Sequence, residues 1–251
     1  MVRAILHGCN GAMGRVISQL AAEDPDIQIV AGVDINTQQN DTYPVFASLA
    51  ECPVEAEVVI DFASAKAMDA LLSAMAEKKL AGVLCTTGLS EEQIRKVEET
   101  SRQVPVLRSA NMSVGVNLMF KVLEMMTPIL VQEGFDIEIV EKHHHRKLDA
   151  PSGTALALAD VINEAAGGVY HYKYDRTQER QKRDPKEIGI QSVRGGTIVG
   201  DHDVIFAGTD EVITLSHSAY SRAIFGKGAI AAAKFLAGKP AGLYNMRDVI
   251  G

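Results

Sequence analysis

The chain has 251 residues, 47% of them apolar and 23% charged, proportions that exclude a long disordered protein. Its 25 basic and 32 acidic residues leave a formal charge of −7. With no tryptophan and 5% aromatics, it has neither the charge nor the stacking surface expected of a nucleic-acid partner. Three scattered cysteines, Cys9, Cys52 and Cys85, form no CxxC pair and support neither a disulfide framework nor a zinc ribbon.

The opening MVRAILHG lacks the apolar core of a signal peptide, and no apolar run approaches membrane-spanning length. A reduced, cytoplasmic, soluble protein with no membrane partner is therefore expected.

In chain order, a strand is predicted from Arg3 to Leu6 and a helix from Arg15 to Ala22, with Val16, Ile17 and Leu20 inward. Strands follow at Ile27 to Val33 and at Val58 to Ile60, the latter ending at Asp61. Met68, Leu71, Leu72 and Met75 then recur at helical spacing. Ala81 to Leu84 reads as a strand, Ser90 to Gln93 as a capping-box helix start, and Val104 to Leu107 as a further strand. Short apolar strands alternating with helices predict a parallel, doubly wound α/β sheet.

The middle of the chain differs. A helix is predicted from Val114 to Thr127, stopped by Pro128, then a strand from Ile137 to Glu141 and a helix from Ser152 to about Ala165. Residues Gly167 to Ile188 read as a long polar loop or arm. Ile190 to Ser218 reads as a small mixed sheet with turns at Gly195-Gly196, Gly200-Asp201 and Gly208. A last helix runs from Ile224 to Leu236. The expected division is a dinucleotide-binding domain of residues 1–112 and 222–251, interrupted by an α+β domain of residues 113–221.

Two places carry chemistry. The first strand runs into GCNGAMG, where Gly8, Gly11 and Gly14 precede a helix; glycines there let the backbone approach a pyrophosphate at the helix N-terminus. Asp34 ends the second strand, where an acid accepts hydrogen bonds from an adenosine ribose. Ile35 follows, with no arginine to clasp a 2′-phosphate, which favours NADH over NADPH. Thr86, Thr87, Ser109 and Asn111 fall after later strands, at the edge where such sheets bind ligands, and read either as contacts to ribose and nicotinamide amide or as ordinary turn chemistry.

The second place is EKHHHRKLDAPSGTA, Glu141 to Ala155, open to readings as a metal site, a solvated basic loop or a catalytic centre. Alternation along a strand lets at most His143 and His145 face one ion, and no spaced third ligand is evident, so no metal is expected. Pro151 to Thr154 open a helix whose first N–H groups attract anions, beside a protonatable histidine run and Lys147. Hydride transfer to a small anionic substrate is the chemistry these residues reach unaided.

The whole chain resembles the 4-hydroxy-tetrahydrodipicolinate reductase (dihydrodipicolinate reductase) family. The likeness is carried by EKHHHRKLDAPSGTA, the GxxGxMG start, VIDF at Val59 to Phe62, TTG at Thr86 to Gly88, SANMSVGVN at Ser109 to Asn117 and SVRGG–IVGDH. The resemblance implies a Rossmann-type sheet with an inserted α+β substrate and oligomerisation domain. It implies NADH- or NADPH-dependent reduction of a cyclic dicarboxylate, with loss of water, in lysine and diaminopimelate biosynthesis, by a homotetramer joined through the inserted domain's sheet.

It further implies that Gly8, Cys9, Asn10, Gly11, Ala12, Met13 and Asp34 bind the dinucleotide. Cys85, Thr86, Thr87, Ser109, Ala110, Asn111 and Met112 border its ribose and nicotinamide. His143 and Lys147 are then the proton donors, with Lys147, as a desolvated amine, giving the final proton. His144, Ser152, Gly153 and Thr154 grip the substrate carboxylates. The family often has glycine where Cys85 stands. Cys9 and Cys85 read either as inert small residues or as oxidation-sensitive thiols. The alternatives are another two-domain dehydrogenase acting on an aspartate-like acid, against which DAPSGTA speaks, and a non-catalytic NAD-binding sensor.

Overall fold

The computed structural model describes residues 1–39, 42–109 and 111–251, so Ala110 lies outside the described residues. Two compact units form, Met1–Val114 with Arg222–Gly251, and Gly115–Ser221.

The first unit starts with β1 (Val2–His7), α1 (Ala12–Ala22), β2 (Ile27–Val33), the short β3 (Val45–Phe46), β4 (Val58–Asp61) and α2 (Met68–Lys78). β5 (Ala81–Leu84), α3 (Glu91–Ser101) and β6 (Pro105–Arg108) follow. Ser90 caps α3 in the expected reciprocal box, its side chain accepting from Gln93 N–H while the Gln93 side chain accepts from Ser90 N–H.

The second unit holds α4 (Val114–Gln132), β7 (Asp136–His143), α5 (Gly153–Ala165), β8 (His171–Lys173), β9 (Glu187–Arg194), β10 (Gly200–Ala207) and β11 (Val212–Ala219). The chain then returns to the first unit with α6 (Ala223–Leu236), β12 (Gly242–Tyr244) and α7 (Met246–Ile250).

In the first unit seven parallel strands stand in the order β12-β6-β5-β4-β1-β2-β3. Chain direction across the sheet reverses between β1 and β4, and such a switch opens a crevice beyond the strands' carboxyl ends. Buried residues on both faces explain why the strands read as apolar runs: Leu6, Ile60 and Val83 pack with α1 and α6, whereas Ile5, Val59 and Leu84 pack with α2 and α3. Gly228 lets α6 reach the chain after β6, since a Cβ there would lie 1.6 Å from the Met112 carbonyl oxygen.

The second unit's sheet is mixed, in the order β11-β10-β7-β9-β8, with β7 parallel to β9 and antiparallel to β10. Its inner face is covered by Val116, Phe120 and Leu123 of α4 and Leu158, Ala159 and Ile162 of α5.

Four expectations need correction here. The α4 helix does not stop before Pro128 but continues to Gln132, because Leu130 beyond the proline joins the core. At 19 residues and mean hydropathy 1.5 this helix has the length and composition of a membrane span, contrary to the expectation that none approaches it; a third of that window is buried. Gly200-Asp201 is no turn but the start of β10: Gly200 is placed for close approach, a Cβ there lying 3.0 Å from His143 Nε2. The stretch read as a polar arm contains β8, and Arg176 and Arg183 tie the rest to Glu138, Glu187 and Asp136 on the sheet.

Gly228→Ala forces the α6 backbone off Met112, and overpacking of this kind destabilises by about 3 kcal/mol. A fall in the urea midpoint is expected; a midpoint equal to the parent's contradicts the close approach.

Candidate active site

In the first unit, the β1–α1 loop is shaped by what glycine permits. Gly8 has φ +81° and a Cβ there would meet the Phe62 carbonyl oxygen at 2.8 Å; at Gly14 it would meet the Gly8 carbonyl oxygen at 2.3 Å. Gly11 N-caps α1 with no side-chain bond, and no acid stands in the first turn, so the helix N-terminus is left for an anion. Asp34 fastens the loop: its Oδ2 accepts from Asn10 N–H at 3.0 Å and its Oδ1 from Asn36 N–H at 2.9 Å. The Asn10 side chain donates to the Asn36 and Gln38 carbonyls. Ile35 is fully exposed beside them.

Thr86, after β5, buries its Oγ1 with no partner among the described residues, and Asp61 Oδ2 at the end of β4 is likewise buried and unpartnered. Buried orphans at the carboxyl edge of such a sheet indicate a site that a polar ligand completes. A backbone cradle, an uncapped helix end, a carboxylate and an orphan hydroxyl together fit a dinucleotide.

Several expected contacts take another form. Cys9 is buried with its sulfur against Gly32, so it meets a ligand only through its backbone. Burial, with Asp34 nearby, pushes the Cys9 thiol up to about 11; burial, with Asp61 nearby, pushes the Cys85 thiol well up. Both remain protonated thiols, which favours the inert reading. Met112 packs into the core, and the Asn111 side chain accepts from Ser113 N–H at 2.8 Å.

In the second unit, period two along β7 explains the site. Ile137 and Ile139 point into the core, and the next residues on that face are Glu141 and His143. The neighbouring strands make the same change: Val204 and Phe206 of β10 are core while His202 and Gly200 lie towards the polar end, and Ile188 and Ile190 of β9 give way to Ser192 and Arg194. Glu141, wholly buried, accepts from Arg194 through both oxygens (2.7 Å each), from His143 Nδ1 at 2.6 Å and from Ser152 N–H at 3.1 Å. Burial alone would raise its pKa, but hydrogen bonds from Arg194, His143 and Ser192 prevail and hold the carboxyl at about 2.

Ser152 caps α5, its Oγ accepting from Ala155 N–H at 3.1 Å and lying 2.9 Å from His202 Nε2. The Ser152 side chain, 2% exposed, is therefore committed to the helix cap, whereas Gly153 stands exposed at the first helical position. His202 meets His143 edge to face at 5.2 Å; burial and the neighbouring His143 lower its pKa to about 4.

The strand ends at His143, so alternation does not govern His144 and His145. His144 is half-buried, and His145 is exposed in a turn where its N–H donates to the Gly196 carbonyl. Lys147 donates from Nζ to the Asp149 carboxylate at 2.8 Å, and its side chain is 21% exposed. Arg194 links this pair to the buried cluster by donating to the Asp149 carbonyl at 2.6 Å.

Glu141, Arg194, Gly200 and His202 had no assigned role in the sequence reading. Glu141 was within reach, two residues before His143 on the strand period; Arg194 and His202 arrive from 53 and 50 residues away, and only the sheet register brings them in.

Between about pH 6.5 and 2 the unfolded chain binds more protons than the folded one. A free histidine titrates near 6.5 against about 4 for His202, and a free glutamate near 4.5 against about 2 for Glu141. Stability therefore falls as pH falls through that window. The urea midpoint measured against pH is expected to decline below 6.5, with the 6.5-to-4 part flattened in His202→Gln; a level midpoint from pH 7 to 4 contradicts the assignment.

Comparison with known proteins covers both units. Residues 2–112 match the family model described as dihydrodipicolinate reductase, N-terminus, and residues 115–250 the one described as dihydrodipicolinate reductase, C-terminus. A 4-hydroxy-tetrahydrodipicolinate reductase of Caldanaerobacter subterraneus is 54% identical over 250 residues, covering 100% of this chain and 98% of that protein. One of Clostridium tetani is 49% identical, covering 98% and 96%. The dipicolinate-bound dihydrodipicolinate reductase of a Paenisporosarcina species shares the fold, with TM-score 0.83 at 23% identity over 100% of both chains. With both halves matched and relatives near half identity from end to end, the chain belongs to the dihydrodipicolinate reductase family.

Proposed function

We propose that the chain reduces 4-hydroxy-tetrahydrodipicolinate to tetrahydrodipicolinate, with loss of water, in lysine and diaminopimelate biosynthesis. The observation that carries this reading is an imidazole held by a buried carboxylate beside the exposed start of α5, in a chain whose relatives are named for the reaction. The substrate class, a small cyclic dicarboxylate, agrees with the dipicolinate held by the Paenisporosarcina protein.

In this reading the uncapped start of α1 at Ala12 and Met13 holds the pyrophosphate, with the loop from Gly8 to Gly11 shaping its approach, and Asp34 the adenosine ribose. Cys85 to Thr87 and Ser109 to Met112 border the ribose and nicotinamide. When bound, the reduced dinucleotide supplies the hydride. Ile35, standing where an arginine would clasp a 2′-phosphate, supports a preference for NADH.

Substrate carboxylates meet His144 and the start of α5 at Gly153 and Thr154, with Ser152 keeping that turn in place as its cap. A grip of this kind favours the anionic ring through the helix dipole and charge-assisted hydrogen bonds. Lys147 delivers the final proton, its ammonium held on the loop by Asp149; His143 supplies the local positive charge. We also infer a homotetramer joined through the open face of the five-stranded sheet, a reading supported by the exposure of Val193 and Val212. Free cysteines at Cys9, Cys52 and Cys85 suit the reducing cytoplasm.

Steady-state kinetics on enzymatically generated hydroxy-tetrahydrodipicolinate, with NADH and NADPH in parallel, test the reading. Turnover with both and a higher kcat/KM for NADH are expected. Lys147→Ala should lose about 10²- to 10⁴-fold in kcat, the range of general-acid catalysis, with dipicolinate affinity largely kept. Full kcat in Lys147→Ala removes the lysine from the mechanism, and no turnover by the parent removes the reaction.

A further inference from the structure

The Glu141 carboxylate meets more than a structural staple requires. Pairing with Arg194 alone would fasten β7 to β9. Yet the same two oxygens also take the His143 ring nitrogen and the backbone N–H of Ser152, the N-cap of α5. An ionised carboxylate only accepts hydrogen bonds, so the proton of the His143–Glu141 contact sits on Nδ1. In the neutral ring Nε2 then carries the lone pair, and protonation of His143 occurs there.

We propose that Glu141 is a positioning residue that fixes the His143 tautomer and, through Ser152 N–H, registers the first turn of α5 to the same carboxylate. The imidazole and the anion-gripping helix end are thereby set by one group. This rests on the reading of His143 and α5 as the place where substrate is held and protonated.

Three features beyond those contacts support it. Glu141 is wholly buried, so water does not compete for its lone pairs, and its carboxyl is held at about 2, so it stays an acceptor at any working pH. Arg194 spans both oxygens and also holds the Asp149 carbonyl, which fixes the far end of the loop carrying Lys147. On the other side of His143, Gly200 leaves room at Nε2 that a Cβ at 3.0 Å would take away. Ring orientation, loop and helix start thus meet at one carboxylate.

An amide cannot take Glu141's place. It offers one acceptor and one donor, while His143 Nδ1–H, two Arg194 N–H groups and Ser152 N–H are all donors. Either way round, Glu141→Gln sets a donor against a donor.

The test uses the full chain labelled with ¹⁵N-histidine and two-bond ¹H–¹⁵N correlation spectra, with His143 identified by its loss in His143→Gln. The expected results are the Nδ1–H tautomer for His143 in the parent, a shift to the Nε2–H form or a mixture in Glu141→Gln, and dipicolinate binding weakened about tenfold or more in that variant, as for loss of a charge-assisted hydrogen bond. A parent His143 in the Nε2–H tautomer overturns the proposal, as does a Glu141→Gln variant that keeps either the parent tautomer or the parent affinity for dipicolinate.

If Glu141→Gln does not fold, the parent tautomer decides alone. The tautomer is read without catalysis, so a parent that fails to turn over sinks the proposed reaction and leaves this result standing, and the reverse also holds.

Discussion

One buried negative charge organises the second unit. Glu141 lies on the strand face that elsewhere is Ile137 and Ile139, where an unpaired carboxylate would be strongly disfavoured. It is tolerated because Arg194, His143 and Ser152 all donate to it. Removing one partner of such a buried pair typically costs about 3–5 kcal/mol, because the remaining charge is left unmatched in a dry site. The positions of β9, the loop before α5 and the His143 ring are therefore mutually constrained. A functional arrangement and a folding requirement coincide in the same few atoms.

The first unit reaches its cradle by the opposite route, through absence of side chains. Gly8 and Gly14 sit where any Cβ would strike backbone oxygens, so the loop closes tightly over the end of β1 and leaves the start of α1 without a side-chain cap. Asp34 then holds the loop from the neighbouring strand. The two units thus show two ways of presenting anion-binding N–H groups at a helix start: bare backbone at α1, and a capped, carboxylate-registered turn at α5.

Much of this was legible in the chain, and the reasons are specific. Strands buried on both faces spell themselves as apolar runs, which is why β2 and β5 are found to the residue, and the Ser90 capping box is local chemistry three residues long. Strands β3 and β12, of two and three residues, are too short to carry a period. Pro128 reads as a stop by local rules, and only the core contact of Leu130 reverses it. Gly200 reads as a turn until the ring it must clear is known. The DAPSGTA run announced an anion-binding helix start, but it did not show that Ser152 would be spent on capping and on His202. Nor could Arg194 be placed on Glu141, since that pairing depends on the register of β7 with β9. Local signals name the residues; the sheet assigns their partners.

The account turns on an ionised, donor-saturated Glu141, and its carboxyl can be observed directly. A ¹³C titration of the Glu141 side-chain carboxyl, assigned by its absence in Glu141→Gln, should show the ionised shift persisting for as long as the chain stays folded, in keeping with a value of about 2. A midpoint near the ordinary 4.5 in the folded protein would mean that the donors are not engaged as described, and the link between His143 and the start of α5 would fall with it.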